Sequence, residues 1–129
     1  MKITLVSEAG IRLEPIAGPM TIEAESADQL YSPFHMLASS LAFCTYSVLA
    51  SWASSAKLKS DDIAIEMRWA FAENPHRIGE IDMKIEWPSL PPARQAAASR
   101  VADLCATRAT LIHPPAIRTV VEAATAASA

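Results

Sequence analysis

The sequence predicts an α+β domain in which antiparallel sheets pack on two long helices. Three observations carry that expectation. Short segments alternate apolar and polar residues with the two-residue period of strands. Two longer stretches place their apolar residues at helical spacing instead. The order βββ–α–ββ–α–β separates the helices by groups of strands, which favours antiparallel pairing over a doubly wound parallel sheet. With 129 residues, 51% hydrophobic and 19% charged, the chain fits one domain, residues 1–129, and is too apolar for disorder.

The N-terminal strands are expected at Lys2–Val6, Ile11–Ile16 and Met20–Glu25. In the third, Met20, Ile22 and Ala24 share one face, and Thr21, Glu23 and Glu25 the other. Pro15 and Gly18-Pro19 punctuate the turns between strands. Ser32 can cap the first helix, with Pro33 at the first helical position, where a missing N–H costs nothing. From Met36 to Ala56 the chain carries no charge. That run is as long as a membrane span, but Ser39, Ser40, Thr45, Ser47, Ser51, Ser54 and Ser55 interrupt it, and no basic cluster flanks it. The better reading is a helix buried on most faces. One small chain covers such a helix only with difficulty, so a partner subunit is expected.

Ile63, Ile65, Met67, Trp69 and Phe71 alternate with polar or small residues, as do Ile81, Met83, Ile85 and Trp87. The turn Glu73-Asn74-Pro75-His76 joins them into a predicted antiparallel hairpin with one buried face. Trp69 and Trp87 read as core, and Asp61-Asp62 as a solvated turn. Pro91-Pro92 opens a second helix running to about Thr107, with an apolar stripe of Ala97, Val101, Leu104 and Cys105. His113-Pro114-Pro115 stops it, and Ile117–Glu122 alternates as a last strand.

Several function classes are excluded or disfavoured. A net charge of -3 with scattered Lys and Arg gives no footprint for nucleic acid. Three glycines cannot build a phosphate-cradling loop, so standard nucleotide binding is not expected. The two cysteines are far apart and His35, His76 and His113 are scattered, unlike the ligand pairs of a zinc site. His35 or His113 could serve as base to a cysteine nucleophile, but their proline neighbours point to surface roles. The start Met1-Lys2-Ile3-Thr4-Leu5 reads as a strand rather than a leader, so a cytoplasmic protein without membrane attachment is expected. There, cysteines are more often redox-active than structural.

Cys44 lies on the stripe Leu37, Ser40, Leu41, Cys44, Val48 of the first helix, and Cys105 on the apolar face of the second. Each can be a small packing residue. Alternatively they form a redox pair, one thiolate attacking a peroxide and the other resolving the sulfenic acid. That chemistry requires a lowered thiol pKa and a second thiol within reach.

Two segments resemble the OsmC/Ohr family. Ser32-Pro33-Phe34-His35-Met36-Leu37, followed by small and apolar residues to Cys44, is similar to the family's Asn/Ser-Pro-Glu-x-Leu-Leu stretch that ends in the reactive cysteine. Cys105-Ala106-Thr107-Arg108-Ala109-Thr110-Leu111 resembles the family's Cys-Pro-Val-x-x-Thr-Leu. The resemblance covers residues 20 to 123. It implies an OsmC-like fold in an intertwined homodimer with the cysteine helices central. It also implies a peroxidase of organic hydroperoxides or hydrogen peroxide, active in oxidative-stress defence. Cys44 would attack and Cys105 resolve, with a dithiol or lipoylated protein as reductant and no metal or flavin. The family's Glu, which holds an arginine against the reactive sulfur, is replaced by Phe34, and Cys105 precedes Ala106 instead of proline. Arg12 is the candidate cation, with Arg108 the alternative. A rival reading from another class is a non-catalytic dimer that binds a hydrophobic small molecule in its cleft.

Overall fold

The computed structural model describes residues 1–124. Strands β1 (Lys2–Ser7) and β2 (Gly10–Glu14) form a hairpin, followed by a short β3 (Thr21–Ala24) and the long helix α1 (Pro33–Ser55). A second hairpin, β4 (Ala64–Ala72) and β5 (Arg77–Glu86), precedes a 3-10 turn (Pro92–Arg94) and two short helices, α2 (Gln95–Ala102) and α3 (Ala106–Ile112). The strands make one five-stranded sheet in the order β3-β1-β2-β4-β5.

Alternation determines which side of the sheet is covered. Ile3, Leu5, Ile11, Leu13, Ile65, Met67 and Trp69 are buried, and the register sets Ile11 against Met67 and Leu13 against Ile65. Ala38, Leu41, Ala42, Leu49 and Ala53 of α1 complete this core. The intervening residues form a charged outer face on which Lys2 pairs with Glu23, Arg68 with Glu66, and Arg12 with Glu14 and Glu86. The β4–β5 hairpin turns where the sequence places it. A bulge between Ala70 and Phe71 leaves Gly79 as the extra residue, and a Cβ there would come within 2.7 Å of Ala72.

The sheet is mixed rather than antiparallel throughout. β3 lies parallel to β1, with Lys2 opposite Thr21 and Leu5 opposite Ala24. The segment through Pro15 and Gly18-Pro19 crosses the end of β1, held by Met1 N to Ile16 O and Thr21 N to Met1 O, both 2.9 Å. The strand after β2 therefore runs beside β1 in the same direction.

Among the described residues only α1 is a long helix. The expected second one breaks at Asp103–Cys105, where i-to-i+3 bonds from Leu104 N to Val101 O and Cys105 N to Ala102 O tighten its end. Cys105 then takes an extended conformation and caps α3. The break turns Leu104 outward, so the buried side of this segment is Ala98 and Cys105. The expected strand Ile117–Glu122 pairs with nothing among the described residues, because no edge of the chain's own sheet meets it. Ile117, Val120 and Val121 are exposed. By length and composition α1 could cross a membrane; here its buried face packs on β2 and β4.

Asp62 is more than a solvated turn residue. Its carboxylate accepts from Ser89 N at 2.7 Å and Ser89 Oγ at 2.8 Å, tying the segment after β5 to the one before β4.

Candidate functional site

Cys44 sits midway along α1, half-buried, and Cys105 is fully buried at the start of α3. Because α3 packs against α1, the two free thiols lie side by side. The Cys105 sulfur accepts from the backbone N–H of Arg108 at 3.4 Å, which is its capping bond. Burial pushes the Cys44 thiol up. Hydrogen bonds from the Cys105 thiol, the Thr107 N–H and hydroxyl, and the Ala106 N–H outweigh that effect and hold Cys44 below the ordinary thiol value. A lowered pKa raises the thiolate fraction, which is the nucleophilic form.

Cys44 opens on a pocket of about 460 Å³. Ile3, Met20, Met36 and Phe43 make its wall mostly apolar, and Thr107 contributes a hydroxyl beside the sulfur. No Lys, Arg or His lines it among the described residues.

Arg12 is not at this site. It lies on β2 between inward-facing Ile11 and Leu13, so the pleat directs it to the outer face of the sheet. There its Nε meets Glu14 Oε1 and its Nη2 meets Glu86 Oε2, both at 2.8 Å. Those hydrogen bonds hold its pKa above the ordinary value despite some burial. Arg12 therefore does not serve the Cys44 of its own chain. Arg108 points elsewhere too, toward Asp103 at 3.5 Å in a different cavity lined by Leu41, Met83 and Leu111. Phe34, in place of the family's Glu, packs edge-on against Phe71 at the far end of α1.

His35 was expected at the surface and is buried at 3% exposure. It occupies the third position of α1, where its Nδ1 accepts from Ser32 N at 3.0 Å while Ser32 Oγ accepts from His35 N. The other ring nitrogen, Nε2, then carries the proton and donates to Ser7 O at 2.9 Å. This is a capping box with imidazole in the role usually taken by Glu or Gln. His35 is thus tied into the fold, away from either sulfur. His76 is exposed beside Glu73, and His113 closes α3 on the surface. Among the described residues no group of His, Cys, Asp or Glu could hold a metal ion. Sequence reasoning missed Thr107; its only signal was a hydroxyl two residues after Cys105.

With this geometry in view, the comparisons with known proteins bear on the same segments. The family model for OsmC-like protein matches residues 25–120, which include α1, both hairpin strands and both cysteines. The chain belongs to the OsmC-like family. Among solved structures, this OsmC-like chain is similar to a Psychrobacter arcticus 273-4 protein described as an osmotic stress induced and detoxification response protein. The likeness has 25% identity and a TM-score of 0.61 over 68% of this chain, and it spans 64% of the other chain. No curated protein matches significantly. The mixed α+β architecture with its five-stranded sheet is thus that of an OsmC-like fold.

Proposed function

We propose that this OsmC-like protein is a thiol-dependent peroxidase, with Cys44 attacking hydroperoxides and Cys105 resolving the product. The observation that carries the reading is the proximity of the two thiols where α3 packs on α1, with Cys44 opening on an apolar pocket and held below its ordinary pKa. The Cys44 thiolate attacks the terminal peroxide oxygen. An S–O bond forms as the O–O bond breaks, and the leaving alkoxide takes a proton to become an alcohol. The Cys105 sulfur then displaces hydroxide from the sulfenic acid, giving a disulfide and water. An external dithiol or lipoylated protein returns both cysteines to thiols. Organic hydroperoxides suit the apolar wall, hydrogen peroxide needs only access, and the likeness to a protein described as part of a detoxification response favours the same activity.

The active unit would be a homodimer in the cytoplasm. Met36, Ser40, Phe43, Ser47, Ser51 and Ser54 form an exposed stripe on α1 without a single charge. A second copy would cover it, and the exposed, unpaired Ile117, Val120 and Val121 would find a strand edge there. The pocket at Cys44 shares Met36, Ser40 and Phe43 with this stripe, so a partner would form part of its wall. The same apolar lining supports the rival reading, non-catalytic binding of a hydrophobic small molecule.

Titration of free thiols before and after one equivalent of cumene hydroperoxide separates the two. Peroxidase chemistry removes both thiols and yields a Cys44–Cys105 disulfide within one chain. Cys44→Ser should abolish peroxide consumption, whereas Cys105→Ser should stop at one equivalent with a trapped sulfenic acid. If both thiols survive in the wild type across several hydroperoxides, the peroxidase reading falls and the binding reading replaces it.

A further inference from the structure

The pocket around Cys44 poses an electrostatic problem. A thiolate facing Ile3, Met20, Met36 and Phe43 is poorly solvated, and the usual remedy is an adjacent cation. The described lining supplies none, since Arg12 is committed to Glu14 and Glu86 and Arg108 to Asp103. Phe34 could not hold a guanidinium in any case. What the chain brings up to the sulfur is the first turn of α3. The break at Asp103–Cys105 is what allows this: a continuous second helix would carry residue 107 onward along its own axis. Instead, Cys105 caps a new helix and sets Thr107 in the pocket wall with Cys44. Thr107 is half-buried, and among the described residues its hydroxyl is committed to no other partner, which leaves it available to the Cys44 sulfur on the same pocket wall.

We propose that Thr107 is the positioning residue that stabilises the Cys44 thiolate, its hydroxyl donating a hydrogen bond where a cation would otherwise stand. The inference rests on the thiol-peroxidase reading for its purpose but not for its test. A donor hydroxyl favours the charged sulfur over the neutral thiol. It is also neutral when the sulfur is spent, so it does not hold a charged residue unpaired in an apolar wall after oxidation. The two neighbouring N–H groups, of Ala106 and Thr107, are fixed by the backbone and remain whatever side chain stands at 107. The side-chain contribution is therefore separable by substitution.

The test is alkylation of the reduced full-length protein by iodoacetamide across a pH series, with the Cys44 peptide quantified by mass spectrometry. Thr107→Val keeps the shape and removes the hydroxyl. It should move the Cys44 midpoint up by about one pH unit, which is about tenfold less thiolate at a fixed pH well below the midpoint. Thr107→Ser keeps the hydroxyl and should return the midpoint to within a few tenths of the wild type. Should the valine variant not fold, Thr107→Ala gives the same reading with a shorter side chain. A midpoint unmoved by removal of the hydroxyl overturns the proposal. So does an equal shift in the serine variant, which would mark a packing role. No peroxide is used, so an upward shift in a protein that fails to consume hydroperoxide would sink the peroxidase reading and leave the Thr107 assignment standing.

Discussion

Replacing His35 with alanine should destabilise the protein by about 3 kcal/mol. The ring is almost fully buried and makes hydrogen bonds to Ser32 N and Ser7 O, joining the start of α1 to the end of β1. Loss of a helix cap costs about 1 kcal/mol. A carbonyl left unpaired beneath the helix costs about 1–3 kcal/mol. The ring also meets Trp69 edge-on at 5.2 Å, an arrangement that adds about 0.5–1.5 kcal/mol. Overlap among these contributions keeps the total toward the low end of their combined range, about 3 kcal/mol, or about 10 °C in melting temperature for a chain of this size. Urea unfolding at one fixed protein concentration measures it, since a dimer makes apparent stability concentration-dependent. His35→Gln should recover about 1 kcal/mol, because the glutamine carbonyl can accept from Ser32 N–H in the usual capping box. If His35→Ala costs less than about 1 kcal/mol, or glutamine does no better than alanine, the reasoning about this cap is wrong.

Two further outcomes concern the sheet and the exposed face of α1. Hydrogen bonding from Arg12, and then its charge, hold the Glu86 carboxyl below its ordinary value of 4.5. A carboxyl depressed by folding contributes stability above its unfolded pKa and loses that contribution as pH falls through the folded one. Glu86→Gln should therefore be less stable than wild type near neutrality, and the difference should close as pH falls below about 4; a pH-independent difference would contradict the pairing. Phe43→Asp places a charge in the middle of the uncharged stripe and should yield a folded or partly folded monomer by sedimentation; an intact dimer would exclude this face as the interface.

Much of the fold was legible because it rests on periodicity. The β4–β5 hairpin alternates over its whole length, and its buried residues Ile65, Met67 and Trp69 are those the pattern selects. The start of α1 was readable from Ser32-Pro33 for the same kind of local reason. Features that depend on what lies across space were not. His35 follows a capping serine at the right spacing, but imidazole is not the residue that pattern expects, and only Ser7 on another element explains its burial. The parallel placement of β3 depends on which end of β1 the chain passes. The stripe Ala97, Val101, Leu104, Cys105 fits one continuous helix as well as it fits two. What decides for two is the extended conformation of Cys105, whose sulfur accepts a backbone proton in a manner more typical of a serine. For the site, the cysteines were visible as residue types, while the direction of Arg12 depended on the parity of its neighbours Ile11 and Leu13.

The two sulfurs are mounted very differently. Cys44 belongs to a 23-residue helix whose buried face is clamped along β2 and β4. Cys105 stands between helices of 8 and 7 residues, the second of which buries none of its own residues. Segments that short hold their shape mainly through packing. Any rearrangement that joins or parts the sulfurs will therefore be taken up by the α2–α3 junction, while the backbone carrying Cys44 stays in place. The α1 side of the pocket, Met36, Ser40 and Phe43, would then present the same surface in the reduced and oxidised protein. The Thr107 side would report the redox state, withdrawing its hydroxyl when Cys44 no longer carries a charge to hold it.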